Sequence, residues 1–212
     1  MKIYISVIHF ICLVYCTEEK NISFNNFSKP LDSINTNYLS FEKKLIVNCI
    51  KGWQNYSYSN SFLNCQFHPS CSNYFAKAVI QDGSIFGSIK GADRLIRCNT
   101  GAYYYFAYDT YKQKYSIDKR MIDDIYPLFN PKQVKNSNLA LFFSLIPGLG
   151  RTYTGRYIDG LYSFLTIFLF SQLSYDQFHK ENHLVSAIYG SIAITFWSGD
   201  FYGAWRTTKV KK

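Results

Sequence analysis

The sequence is poor in histidine and has no recognisable RNA- or DNA-binding signature. Of its four histidines, His9, His179 and His183 fall in stretches that read as a leader or as membrane segments. A cysteine nucleophile would therefore have only His68 at hand as a base, with no group evident to orient it. No catalytic residue is expected, and an enzyme is the least favoured class. A charged tail is also missing. Lys and Arg number 23 against 14 Asp and Glu, a formal charge of +9, but the excess is spread along the chain. Such a spread suits an anionic membrane surface at least as well as nucleic acid, so nucleic acid is not an expected partner.

No long hydrophobic run occurs before residue 139. The apolar stretch Ile3–Tyr15 has the length of a signal-peptide core, short of a bilayer span. Residues 1–16 are accordingly expected to be a signal peptide or short anchor, and the Asn- and Ser-rich residues 17–40 a linker. From Phe41 the pattern becomes helical. Leu45, Cys49, Trp53 and Tyr56 recur on one face with Ile46 and Ile50 beside them, while Lys44, Asn48, Lys51 and Asn55 share another. This basic amphipathic helix has two possible destinations, among lipid headgroups through its apolar face or packed on its own domain.

Two further helices follow. Ser70 can cap one that carries Cys71, Tyr74, Phe75, Ala78 and Val79 and stops at Gly83. Ser84 can cap the next, with Ile85, Ile89, Ala92 and Ile96 on its apolar side. Opposite them Lys90, Arg94 and Arg97 form a positive stripe, either a solvated face or a contact for lipid phosphates or an acidic partner. A short helix is expected around Ile117–Tyr126, before Pro127 and Pro131 break the chain.

The last third is apolar. Leu139–Gly150 is about half a span long and contains Pro147, as in a broken or re-entrant element. Gly160–Tyr175 and Leu184–Gly199 extend to span length and are joined by the polar "DQFHKENH". Arg151 and Arg156 precede this hairpin; Arg206, Lys209, Lys211 and Lys212 follow it. The positive-inside rule then puts both of its ends, including the tail, in the cytoplasm. Asp200 near the end of the second segment is expected to be hydrated or paired with Arg206. The fold class is thus all-α: a small helical domain (41–100), an aromatic-rich connector (101–137), a two-helix transmembrane hairpin preceded by a short broken apolar segment (138–206), and a basic tail (207–212).

The segment "CQFHPSCSNYF", Cys65 to Phe75, concentrates the reactive side chains. Cys65, His68, Cys71 and the distant Cys98 offer zinc-type donors, but their spacing is not that of paired zinc knuckles. A disulfide suits them if the domain is exported; small thiols packed between helices are the remaining reading. No metal or cofactor is expected.

The stretch Cys65–Cys98 resembles the membrane protein insertion efficiency factors, the YidD family. The matching positions are Cys65, Phe67, Pro69, Ser70, Cys71, Ser72, Tyr74, Ala78, Gly83, Gly87, Arg94, Leu95, Arg97 and Cys98. The preceding amphipathic helix is similar to the one with which that family begins, which favours membrane contact for it. After Cys98 the chain departs: Asn99 and Thr100 stand where the family has His-Pro. The C-terminal hairpin, with "PGLGRTYTGRYIDG" and "GDFYGAW", is similar to small TM2-type membrane domains. The resemblance implies a non-enzymatic accessory factor at the bacterial inner membrane that assists insertion of integral membrane proteins, with the insertase or translocase and nascent membrane proteins as partners. It also implies anionic lipid or partner contacts through Lys44, Lys51, Trp53, Lys90, Arg94 and Arg97. The rival reading is an exported envelope protein tethered by the hairpin; which side of the membrane residues 17–138 occupy is left open between the two.

Overall fold

The computed structural model describes residues 36–37, 39–58, 65–109, 115–116, 119–122 and 135–208. The leader, nearly all of the expected linker and the tail from residue 209 lie outside them. The described residues form eight helices and one pair of two-residue strands: α1 Phe41–Tyr58, β1 Phe67–His68, α2 Cys71–Asp82, α3 Ser84–Arg97, α4 Ala102–Asp109, β2 Met121–Ile122, α5 Ser137–Phe143, α6 Leu149–Tyr153, α7 Tyr157–His179 and α8 His183–Thr208.

The local signals explain most boundaries. The Ser70 side chain accepts from the Asn73 N–H at the start of α2, leaving that helix capped as its sequence indicates. Gly83, at φ +91°, ends α2 and occupies the cap position of α3. The expected cap at Ser84 is therefore displaced by one residue, because only a glycine takes that backbone conformation without strain. The helix expected around Ile117–Tyr126 is not what its described part forms. Met121 and Ile122 pair in parallel with Phe67 and His68, and Met121 is fully buried in a small core with Phe67, Cys71 and Ala102.

Helices α2 and α3 lie close because a Cβ on Gly87 would stand 2.4 Å from the Val79 Cα. The same need recurs between α3 and α8, where a Cβ on Gly199 would meet Ala92 at 2.8 Å. Small residues at such crossings let backbones approach. The apolar run Leu139–Gly150 is broken as expected, into α5, a turn and α6, with Gly148 at φ +82°.

The hairpin forms as α7 and α8 packed side by side, but its turn is shorter than the expected polar loop, since α7 continues through Asp176 to His179. The transmembrane reading of it is corrected. No helix of the described residues is long and apolar enough to cross a membrane, so the two spans are unsupported. The reason is visible in the composition: Asp159, Ser163, Thr166, Gln172 and Ser174 interrupt α7, and Gly199, Asp200, Gly203 and Arg206 interrupt α8.

Candidate functional site

Helix α1 packs on α2 through Val47, Ile50, Gln54 and Ser57, all buried. Gln54 donates to Ser72 Oγ and Asn73 Oδ1, both at 2.9 Å, and Lys43 donates to the Ile80 carbonyl at 2.9 Å. The stripe Leu45, Cys49, Trp53 and Tyr56 consequently faces outward; Leu45, Trp53 and Tyr56 are about half exposed or more, and Lys44 is exposed beside them. The two destinations open in the sequence divide the apolar side: Val47 and Ile50, with Ile46, pack on α2, and Leu45, Trp53 and Tyr56 stay uncovered.

The positive stripe of α3 is not a solvated face. Arg94 is fully buried: its guanidinium lies 4.1 Å from the Phe67 ring centroid and 4.6 Å from that of Tyr74, and donates to the Pro69 carbonyl at 3.0 Å. Four of the matching positions, Phe67, Pro69, Tyr74 and Arg94, thus meet in one place, where a planar cation on aromatic faces fixes the turn between β1 and α2. Arg97 is buried against Asp93. Lys90, half-buried, pairs with Asp82 at 2.9 Å.

Three thiols gather beside that turn. Cys65 Sγ lies 3.2 Å from Cys71 Sγ and 3.8 Å from Cys98 Sγ. Hydrogen bonds with Cys71 and then Cys98 hold the Cys65 thiol well below the ordinary thiol range, against its burial and with help from the Arg94 charge. The same bonds push Cys71 and Cys98 up, with burial adding to them. The four described cysteines, Cys49, Cys65, Cys71 and Cys98, are free thiols. His68 takes no part; it is exposed, with Nδ1 3.3 Å from Arg120 Nη2.

The densest polar arrangement was not foreseen from the sequence. Asp93, on α3, is fully buried and receives Arg151 Nη2 at 2.7 Å, Arg206 Nη1 at 2.9 Å and Arg97 Nε at 3.0 Å. Burial alone would push its carboxyl up, but Arg97, Arg151 and Arg206 outweigh that and hold it far below the usual carboxylate range. Arg151 also reaches Asp200 Oδ1 at 2.9 Å and the Gly199 carbonyl at 2.9 Å. Asp200, expected to be hydrated or paired with Arg206, is instead fully buried between Arg151 and the Gly148 N–H. Nearby, Asp159 takes Arg156 and the Asn99 amide. One ionic seam therefore ties the Cys65–Cys98 unit to the hairpin. The hint for it lay in the small residues of α8: a Cβ on Gly203 would come 2.1 Å from Arg151 Nη2 and 2.3 Å from Asp93 Oδ1.

The first part of this assembly has relatives. Residues 42–111 match the sequence model of the YidD family, described as "Putative membrane protein insertion efficiency factor". A protein of that description from Thermotoga maritima is 39% identical over 57 residues, covering 27% of this chain and 70% of its own length. One from Nitrosomonas europaea is 40% identical over 67 residues, covering 29% of this chain and 93% of its own. The chain belongs to the membrane protein insertion efficiency factor family. No solved structure matches it. Within this family member, the matched segment ends at residue 111, so α5 to α8 are an addition to the YidD unit. Asn99, one of the positions where the chain departs from the family pattern, is the residue that grips Asp159 of that addition.

Proposed function

We propose that this YidD-family protein is a membrane-associated accessory factor that assists insertion of integral membrane proteins into the bacterial inner membrane without catalysing a reaction. The observation that carries the reading is the polarity of α7. Its inward face holds Asp159, Ser163 and Thr166, 0%, 0% and 5% exposed, beside Tyr162, Ile167 and Leu173, while Leu161, Phe164, Leu165 and Phe168 on the other face are 44–57% exposed. A helix packed in water turns polar side chains, not such an apolar row, to the solvent. An apolar exterior over a polar seam suits an element whose outer face dips into lipid. Leu45, Trp53 and Tyr56 of α1 add a second apolar strip, and Lys44 and Lys51 supply charge for anionic headgroups.

The contact roles first assigned to Arg94 and Arg97 move inward: they position the Phe67–Tyr74 turn and Asp93, and the outer contacts fall to α1 and the hairpin. The apolar exterior is also the surface offered to an insertase or to a nascent membrane segment, whose side chains are equally apolar. Vesicle flotation tests the lipid part. The full chain should float with vesicles containing anionic lipid, and Phe164→Lys combined with Phe168→Lys should abolish this while the melting temperature stays within a few degrees. Retained flotation of that variant would refute the proposed face. Insertion of a reporter membrane protein into insertase proteoliposomes should be faster with the wild-type chain than with the variant; equal rates would remove the accessory role.

A further inference from the structure

We propose that Cys65, Cys71 and Cys98 form a three-thiolate site for a closed-shell thiophilic cation, Zn2+ or Cu+. The three sulfurs come from separate pieces of chain: the lead-in to β1, the first residue of α2 and the residue after α3. The fold brings them all within 4.8 Å of one another. A metal–thiolate bond of about 2.3 Å in tetrahedral geometry sets sulfur–sulfur edges of about 3.8 Å. Cys65 and Cys98 stand at that edge length, 3.8 Å; Cys65 and Cys71, at 3.2 Å, have to open by about 0.6 Å to reach it, and Cys71 and Cys98 lie within 4.8 Å. A disulfide between the latter two would need their sulfurs to close to about 2.05 Å.

The surroundings are those of a thiolate site. The Cys71 N–H donates to Cys65 Sγ at 3.2 Å, the kind of backbone contact that orients a ligating sulfur. Arg94, fully buried and held by Pro69 and Phe67 within the same turn, brings a fixed positive charge. Three thiolates with Zn2+ carry one net negative charge, which a single guanidinium offsets; with Cu+ they carry two. Cys71 is buried and Cys65 and Cys98 are half-buried; three protein sulfurs leave the fourth position of a tetrahedral ion to water. Binding releases the thiol protons to solvent and changes no oxidation state. Nothing in this inference depends on a role in membrane protein insertion.

The test uses the full chain purified in mild detergent without oxygen. Added Zn2+ or, in a separate arm, Cu+ should bind at one equivalent and shield Cys65, Cys71 and Cys98 from alkylation as read by mass spectrometry, with Cys49, exposed and outside the group, still modified. Protection by either ion supports the site and identifies the cation. Cys98→Ser should weaken binding by more than about tenfold, and Cys49→Ser should not change it. Because Cys98→Ser can also disturb the fold, the wild-type protection pattern stands as an independent readout. Alkylation of the three thiols at an unchanged rate with both ions, protection of Cys49 alone, or a Cys65–Cys71 disulfide persisting under reductant would each overturn the proposal.

Discussion

Replacing Asp93 by Asn puts the joint between the YidD unit and the hairpin under direct test. Three guanidiniums converge on this carboxylate at 2.7, 2.9 and 3.0 Å. The buried cluster contains Asp93, Asp159 and Asp200 against Arg97, Arg151, Arg156 and Arg206, three negative charges for four positive. Without Asp93 the ratio falls to two for four, and the carboxamide offers one acceptor oxygen and turns an NH2 group toward N–H donors. Removing one partner of a buried ion pair costs about 3–5 kcal/mol, because the charge left behind can neither ionise away nor reach water. The Lys90–Asp82 pair gives the contrast. Its side chains retain 13% and 20% accessibility, and Asp82→Asn should cost about 0–1 kcal/mol. Urea unfolding of the full chain in mild detergent, followed by the fluorescence of Trp53 on α1 and of Trp197 and Trp205 on α8, reports both halves. Asp93→Asn should lower the unfolding free energy several-fold more than Asp82→Asn. Equal effects, both below about 1 kcal/mol, would mean that the seam does not hold the halves together.

The same carboxylate sets a pH dependence. Its folded pKa lies below its unfolded value, so its contribution is fully present above an unfolded carboxyl value of about 3.9 and is lost as the pH falls toward the folded one. The stability gap between wild type and Asp93→Asn should be flat between pH 5 and 7, on the order of the above cost, and narrow below about pH 4; a gap that widens on acidification would contradict the assignment. Gly203→Ala places a Cβ 2.1 Å from Arg151 Nη2 and should cost about 1–3 kcal/mol. Gly52→Ala, with nothing within 4 Å of the new Cβ, should instead stabilise α1 by about 0.5–1 kcal/mol; thermal melts of the two variants should move in opposite directions. Arg94→Lys keeps the charge but loses the planar contact with Phe67 and Tyr74, and should cost about 2 kcal/mol in the same melts. Leu45→Ser with Trp53→Ser should weaken vesicle flotation and leave the melting temperature nearly unchanged, since both side chains face outward.

Periodicity and punctuation made the helices legible. Ser70, Gly83, Pro147 and Gly148 mark ends that the backbone obeys, and the fixed positions from Cys65 to Cys98 carried the family. What they could not show was which face of each helix turns inward. In α1 the apolar stripe was visible, but the packed side is the one where Val47 and Ile50 meet Ala76 of α2 and Gln54 reaches Ser72 and Asn73. In α3 the spacing of Lys90, Arg94 and Arg97 reads as an outward stripe, solvated or in contact with lipid or an acidic partner. It points outward at neither arginine: Arg94 is covered by Phe67 and Tyr74, which no local pattern connects to it, and Arg97 by Asp93 one turn before it. The hairpin misled in a related way: residue type suggested spans, whereas Gly199, Gly203 and Arg206 at the end of the second one are the contacts that dock it on α3. Pairing over separations of 58 and 113 residues, as for Asp93 with Arg151 and Arg206, leaves no periodic trace.

The seam also constrains how the two parts can work. A hairpin with an apolar exterior and ionised residues at its inner face has no favourable state by itself in either solvent. In water its outer surface is exposed, and in lipid Arg206 and Asp159 lack the partners Asp93 and Asn99 supply from the YidD unit. Docking removes both problems at once, because the charges are satisfied inward while the apolar face stays outward. The YidD unit gains in return a surface it does not build alone: α1 offers a narrow strip of Leu45, Trp53 and Tyr56, and the hairpin extends the apolar area by the full length of α7. Asn99 and Asp93 therefore act as the joint through which a small family unit is fixed to a larger apolar platform. In the proposed membrane-bound state, the pose follows from this ionic geometry inside the protein, and the surface lysines add attraction only.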